Sequence, residues 1–270
     1  MKLANSSAFT QRLTKMEKLF IPFMMSGDPT PELTIELAYT LQQSGADVIE
    51  LGVPYSDPLA DGPTIQRAAS RALAQGMNIQ RAMELVPNMR KKGVEIPIVL
   101  FTYYNPVLQY GIERLMEQLQ AHEIDALLVP DIPLEQRDAI SGLAEQYGIP
   151  LISLVAPNSA QRVQTIVKQA SGFLYCVSSL GVTGERTVLN PDIVAFLAQV
   201  KRHSHVPVAV GFGISTNEQV KSIFEHADGV IIGSKMINII EEKRQQLVQE
   251  ETREMALQQI KREIMQLVQA

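Results

Sequence analysis

An α/β chain folded as a (β/α)8 barrel, the TIM-barrel class, is what this sequence predicts, and three observations predict it. Short apolar runs recur eight times along the 270 residues. The runs are continuous rather than alternating, the pattern of parallel strands covered on both faces. An amphipathic helical pattern follows each run, and eight strand–helix units is the count of a closed barrel. This length is ordinary for such a barrel as a single domain, residues 1–270. An open doubly wound sheet would want a glycine-rich nucleotide loop after its first strand. Here the first run leads instead into the turn Ser26-Gly27-Asp28-Pro29.

The elements follow in order. An extra helix is expected ahead of the first strand, within a polar stretch (residues 1–17) that lacks the apolar segment of a secretory signal. The strand runs are residues 19–25, 46–52, 96–102, 124–129, 150–156, 173–178, 207–211 and 229–233. Glycines that stop the preceding helix stand before several of them: Gly45, Gly93, Gly148 and Gly172. Amphipathic patterns mark helices over 31–44, 112–122, 134–147, 159–170 and 217–225. The tail, residues 237–270, is charged and reads as a long C-terminal helix. Leu247, Met255, Ile260, Ile264 and Leu267 fall on one of its faces, which either packs on the barrel wall or serves a partner.

Composition excludes several functions. With 46% hydrophobic residues the chain is globular, and no apolar run approaches the roughly 18 residues that span a bilayer. A net charge of −5 without a basic patch argues against nucleic acid as a partner. Cys176, the sole cysteine, rules out an internal disulfide and suits the cytoplasm.

In such barrels chemistry sits where strands end, and the opposite rim stabilises. That rule sorts the polar residues. His122, His203, His205 and His226 all lie in helices or just before strands, so neither a His-ligated metal nor a His base is expected. No lysine lies inside a strand run, and Lys235 comes closest, two residues past Gly233. A Schiff-base aldolase, which needs a desolvated lysine, is disfavoured on that ground. The acids Asp28, Glu50, Asp57, Asp61 and Asp131 all close or follow a strand. Asp28 is expected to hydrogen-bond its own turn, and Asp131 to cap the next helix or bond a neighbouring loop. Glu50 can cap nothing at a strand end, and burying its charge is costly. It is therefore the candidate acid/base.

Phosphate binding is the second signal. Gly211-Phe212-Gly213 follows the seventh run and Gly233-Ser234 the eighth, the two loops at which these barrels often hold phosphate. Gly181-Val182-Thr183-Gly184 after the sixth run reads either as a lid with glycine hinges or as an ordinary long loop.

The segment from Glu50 to Gln66 (ELGVPYSDPLADGPTIQ) resembles the signature of the tryptophan synthase alpha chain family. Gly181–Gly184, Gly211–Ser215 and Gly233-Ser234 resemble it in the same order and spacing, as do residues 20–29 and 129–133. The resemblance implies retro-aldol cleavage of indole-3-glycerol phosphate to indole and glyceraldehyde 3-phosphate. It implies Glu50 as acid/base and Asp61 as the second essential carboxylate. It further implies that Phe23, Tyr175, Thr183 and Phe212 line the substrate site and that Gly184, Gly213, Gly233 and Ser234 hold the phosphate. Asp57 would face a beta subunit in a complex of two alpha and two beta chains. No cofactor is implied in this chain, because pyridoxal phosphate belongs to the beta subunit.

Overall fold

The computed structural model describes residues 7–132, 134–157, 163–177, 190–211 and 213–269. Its strands are β1 (Leu19–Met25), β2 (Ile49–Gly52), β3 (Ile98–Phe101) and β4 (Ala126–Leu128), then β5 (Ser153–Val155), β6 (Leu174–Val177), β7 (Val208–Gly211) and β8 (Gly229–Ile232). All pair in parallel, in the order β4-β3-β2-β1-β8-β7-β6-β5. A parallel bridge from Leu127 to Leu151 joins the two ends of that order, so the sheet closes on itself. Every strand lies within a predicted run, and most are shorter. Ala46 and Val48, for example, are buried although they precede the β2 ladder. An apolar run reports burial, whereas the ladder reports only the staggered residues that meet a neighbour.

The first helices are α1 (Ala8–Leu13), α2 (Pro31–Gln43), α3 (Pro63–Ala74) and α4 (Ile79–Lys92). Next come α5 (Tyr104–Tyr110), α6 (Ile112–Ala121), α7 (Leu134–Gln146), α8 (Val163–Lys168) and α9 (Pro191–His203). The last are α10 (Asn217–Phe224), α11 (Ser234–Glu242), α12 (Arg244–Val248) and α13 (Glu250–Val268). Local chemistry starts several of them. Thr30 accepts from the Leu33 N–H ahead of Pro31, and Thr216 with Gln219 forms a reciprocal capping box.

The core has two layers. Leu19, Ile21, Val48, Val99, Leu128, Phe173 and Ile231 fill the barrel interior, and larger apolar faces pack between sheet and helices. The expected N-terminal helix is α1, and Phe9 and Leu13 join the interior cluster and plug the barrel floor. Gly172, before β6, accommodates the plug. Its φ is +73°, and a Cβ there would meet the Phe9 ring at 2.6 Å. The Gly172 N–H donates to Thr10 Oγ1 at 2.8 Å, pinning helix to loop.

The tail packs on the barrel, with α13 against α2 and α10. Leu247, Ile260, Ile264 and Leu267 are buried as expected. Met255 is not: it is 48% exposed, and Ala256 and Leu257 face inward instead. The tail is three helices rather than one. Within α13, Met255 lies about 140° around the helix from Ile260, whereas Ala256, four residues before Ile260, shares the buried stripe. None of the described helices is long and apolar enough to cross a membrane.

Candidate active site

β2 sets Glu50 opposite Phe23 of β1 and Val99 of β3. Successive residues of a strand face opposite sides, and Val48 sits in the interior cluster, so Glu50 points into the barrel. It is 1% exposed, and its Oε1 has no hydrogen-bond partner among the described residues. Burial pushes the carboxyl up to about 8. At neutral pH Glu50 is therefore mostly protonated, and it can give up that proton without leaving the working range.

Asp61 hangs over the same space from the loop that follows β2. Burial raises its carboxyl, and a hydrogen bond from the Tyr103 hydroxyl partly offsets the rise. Tyr103 follows β3, is 1% exposed, and its phenol oxygen accepts the Ala60 N–H at 3.2 Å. Burial, then the charge of Asp61, holds the Tyr103 hydroxyl protonated well above its ordinary value. The Tyr103 ring packs on Tyr55 at 5.4 Å and edge-on to Phe101 at 6.4 Å. Gln66 Nε2 donates to the Asp61 carbonyl at 2.7 Å, fixing the loop where α3 begins.

The remaining acids have structural work. Asp28 does not merely bond its turn. It is 3% exposed and receives both Nε (2.7 Å) and Nη2 (2.8 Å) of Arg71 on α3. A buried carboxylate needs such a partner, and the bidentate fork supplies one that turn chemistry cannot. Arg71 also reaches Glu241 of α11 at 2.6 Å, and Arg67 joins it at 2.8 Å. These hydrogen bonds, Arg67 first, hold the Glu241 carboxyl down near about 2. Asp131 bonds a neighbouring loop: its Oδ1 accepts the Tyr104 N–H at 2.8 Å, at the start of α5. His122, His203, His205 and His226 end helices or precede β7 and β8, on the opposite rim as expected. Among the described residues no cluster of His, Cys, Asp and Glu could hold a metal.

Glu50 and Asp61 line one cavity of about 370 Å³. Its wall is aromatic: Phe23 and Phe101 meet edge to face at 5.6 Å and 85°, and Tyr175 of β6 completes it. Burial, then the charges of Glu50 and Asp61, keeps the Tyr175 hydroxyl protonated well above its ordinary range. Two glycines make room for these rings. A Cβ at Gly52 would lie 2.4 Å from the Phe23 ring, and one at Gly211 would lie 2.5 Å from that of Tyr175. Gly52→Ala is accordingly expected to displace Phe23, lower stability by about 1–3 kcal/mol, and weaken binding of a planar aromatic ligand. Phe23→Leu, which removes the clashing ring edge, should restore the stability. Unchanged melting and binding in the single variant would contradict the packing described.

The other end of the cavity is built for an anion. Gly213, Ile214 and Ser215 follow β7, and Gly233 and Ser234 open α11. The Ser215 and Thr216 N–H groups are occupied by Gln219 Oε1, at 2.8 and 3.2 Å. The α11 N-terminus has no side-chain cap, which leaves its first N–H groups for a ligand. Lys235 and Asn238 of α11 line the cavity as well.

The structure thus assembles Phe23, Glu50, Asp61, Tyr175, Gly213, Gly233 and Ser234 around one space. Asp57 lies outside it, exposed, accepting from the Ser56 hydroxyl at 2.5 Å and close in sequence to Leu59, which is 84% exposed. Thr183, Gly184 and Phe212 lie outside the described residues. Sequence reasoning missed Phe101, Tyr103, Lys235 and Asn238. The period-two rule that turns Glu50 inward would have flagged Phe101 and Tyr103, two and four residues past inward Val99.

Comparison with known proteins agrees on one family. A family model described as tryptophan synthase alpha chain matches residues 9–266. The tryptophan synthase alpha chain of Geobacillus sp. (strain WCH70) is 58% identical over 252 residues, covering 93% of this chain and 96% of the relative. That of Bacillus subtilis (strain 168) is 55% identical over 251 residues, covering 93% and 94%. The crystal structure of tryptophan synthase subunit alpha from Legionella pneumophila str. Paris superposes with a TM-score of 0.86 at 35% identity, covering 97% of each chain. A mutant alpha-subunit from the hyperthermophile Pyrococcus furiosus gives 0.82 at 34% identity, covering 93% of this chain and 98% of its own. The model match spans most of the barrel, and the relatives match nearly end to end. The chain belongs to the tryptophan synthase alpha chain family, enzymes of tryptophan synthesis whose role is the cleavage of indole-3-glycerol phosphate.

Proposed function

We propose that this chain acts as a carbon–carbon lyase, cleaving indole-3-glycerol phosphate with Glu50 as acid/base and Asp61 as electrostatic partner. The observation that carries the reading is a pair of unequal carboxyls in one aromatic cavity, one of them neutral up to about pH 8. Protonated Glu50 donates to indole C3 while Asp61, as carboxylate, stabilises the positive charge that forms at the ring N–H. The Glu50 carboxylate then takes the proton of the glycerol hydroxyl next to the ring. The bond between C3 and the side chain breaks, its electron pair returns to the ring, and the hydroxyl carbon becomes the aldehyde. Indole and glyceraldehyde 3-phosphate leave, and Glu50 ends protonated, as it began.

The remaining roles follow the same chemistry. Phe23 and Phe212 line the indole pocket, and Tyr175 of β6 faces the substrate. Thr183 hydrogen-bonds Asp61 when substrate is bound. Gly184, Gly213, Gly233 and Ser234 present N–H and hydroxyl donors to the phosphate. No step needs a cofactor. Exposed Asp57 and Leu59 suit a face toward a beta subunit that carries pyridoxal phosphate and takes up the indole, in a cytoplasmic complex of two alpha and two beta chains.

Lys235 lines the same cavity, so a Schiff-base route is the second reading. One experiment separates them. Purified chain is given indole-3-glycerol phosphate, with and without beta subunit, and indole is measured in the presence and absence of borohydride. Indole release without any covalent adduct is expected. A borohydride-trapped lysine would replace the proton-shuttle mechanism, and no release with beta subunit present would remove the lyase reading.

A further inference from the structure

The anion end of the cavity holds a charge that no described residue balances. Lys235 lies in the first turn of α11, where a cation opposes the helix dipole, and no acid accompanies it there. Among the described residues Lys235 forms no ion pair, although Lys92, Lys201 and Lys243 each do. Of the described residues lining the cavity it is the only cation, facing a space that also holds Glu50 and Asp61. Asn238, three residues on and so on the same helix face, lines the cavity beside it.

A polar stripe of Ser234, Lys235 and Asn238 therefore borders the space. The unpartnered Oε1 of fully buried Glu50 at the cavity's other end marks that space as one completed by an occupant. A phosphate entering a cavity with two carboxyl groups loses water and meets like charge, which backbone N–H groups offset only in part.

We propose that Lys235 is a phosphate ligand of this enzyme, its ammonium pairing with the substrate's phosphate and the Asn238 amide donating alongside. The pair gives the site its preference for a phosphorylated over an unphosphorylated side chain. This rests on the indole-3-glycerol phosphate reading for the identity of the substrate, but the charge argument holds for any phosphate ester of that shape.

The test uses the whole chain as wild type, Lys235→Met, Lys235→Arg and Asn238→Ala. Calorimetry measures glycerol 3-phosphate and the uncharged ligand indole-3-propanol, and indole release from indole-3-glycerol phosphate is followed in parallel. Lys235→Met should weaken glycerol 3-phosphate about tenfold, the scale of one charged hydrogen bond. It should raise KM by a similar factor, change kcat far less, and flatten the dependence of KM on salt. Lys235→Arg should recover most of the loss, Asn238→Ala should show a smaller one, and indole-3-propanol should bind all four within about twofold.

Equal affinity of wild type and Lys235→Met for glycerol 3-phosphate overturns the assignment. So does a parallel loss of indole-3-propanol binding, which would mean a structural role. If wild type binds glycerol 3-phosphate but releases no indole, the cleavage reading fails while the titration still decides Lys235.

Discussion

Glu50→Gln is expected to abolish indole release and, at the same time, to make the protein more stable at alkaline pH. The two effects have one cause. Glutamine keeps the shape of a protonated glutamate but cannot pass a proton, so kcat should fall by at least the 10²–10⁴-fold that general acid–base catalysis typically supplies. The stability effect follows from where Glu50 sits. Its folded value is about 8 against an ordinary 4.5, so across that interval the folded chain holds a proton that the unfolded chain has released. Stability then falls as pH rises from about 4.5 to about 8 and levels off above, by an amount on the order of 5 kcal/mol. Glutamine removes this term. Denaturant titrations at pH 5, 7 and 9 should show the variant's advantage growing between the first two and reaching its full size by the last. A variant no more stable than wild type at pH 9 would mean that Glu50 is not buried as a neutral acid. Substantial cleavage by it would reassign the acid/base.

Asp61→Asn should have the second largest effect on turnover, about 10²–10³-fold in kcat, the scale of removing one preorganised electrostatic group. Its pH dependence separates it from Glu50. Asp61 works ionised, and burial raises its carboxyl while Tyr103 holds it partly down. Glu50 works protonated and loses its proton near 8. The wild-type profile of kcat/KM should therefore be a bell, falling on the acid side as Asp61 takes up a proton and above about pH 8 as Glu50 loses one. In Asp61→Asn the acid limb should vanish from the residual activity and the alkaline limb should remain. Persistence of the acid limb would assign it to another group.

Much of this is legible in the sequence alone. Continuous apolar runs, each followed by a helical pattern, imply a covered parallel sheet, and their number implies closure. A glutamate inside such a run is costly enough to need a reason, and its place at a strand end supplied one. Glycines after the seventh and eighth runs pointed to phosphate. These signals are local, because periodicity, turn chemistry and the cost of burying a charge act within a few residues.

What failed to show was long-range. The partner of Asp28 is Arg71, 43 residues away, and no local pattern announces it. The hydroxyl that steadies Asp61 comes from Tyr103, on the loop of a different strand. The breaks at Lys243 and Gln249 that divide the tail into three helices are likewise not announced by its helix-forming pattern. In the sequence Lys235 stands out only by its distance from the eighth strand, two residues past Gly233. Its place in the cavity depends on the direction in which α11 leaves the barrel.

By itself, then, the sequence determined the eight strand–helix units, the rim that carries chemistry, and the acid that has no structural excuse. Tertiary structure alone decided how the acids differ. Barrel closure strips water from Glu50 and leaves it neutral up to about 8, while the neighbouring loop brings a hydroxyl to Asp61 and keeps it nearer its charged form. Proton affinity depends on solvent and partners in three dimensions, and those are set only when distant segments meet.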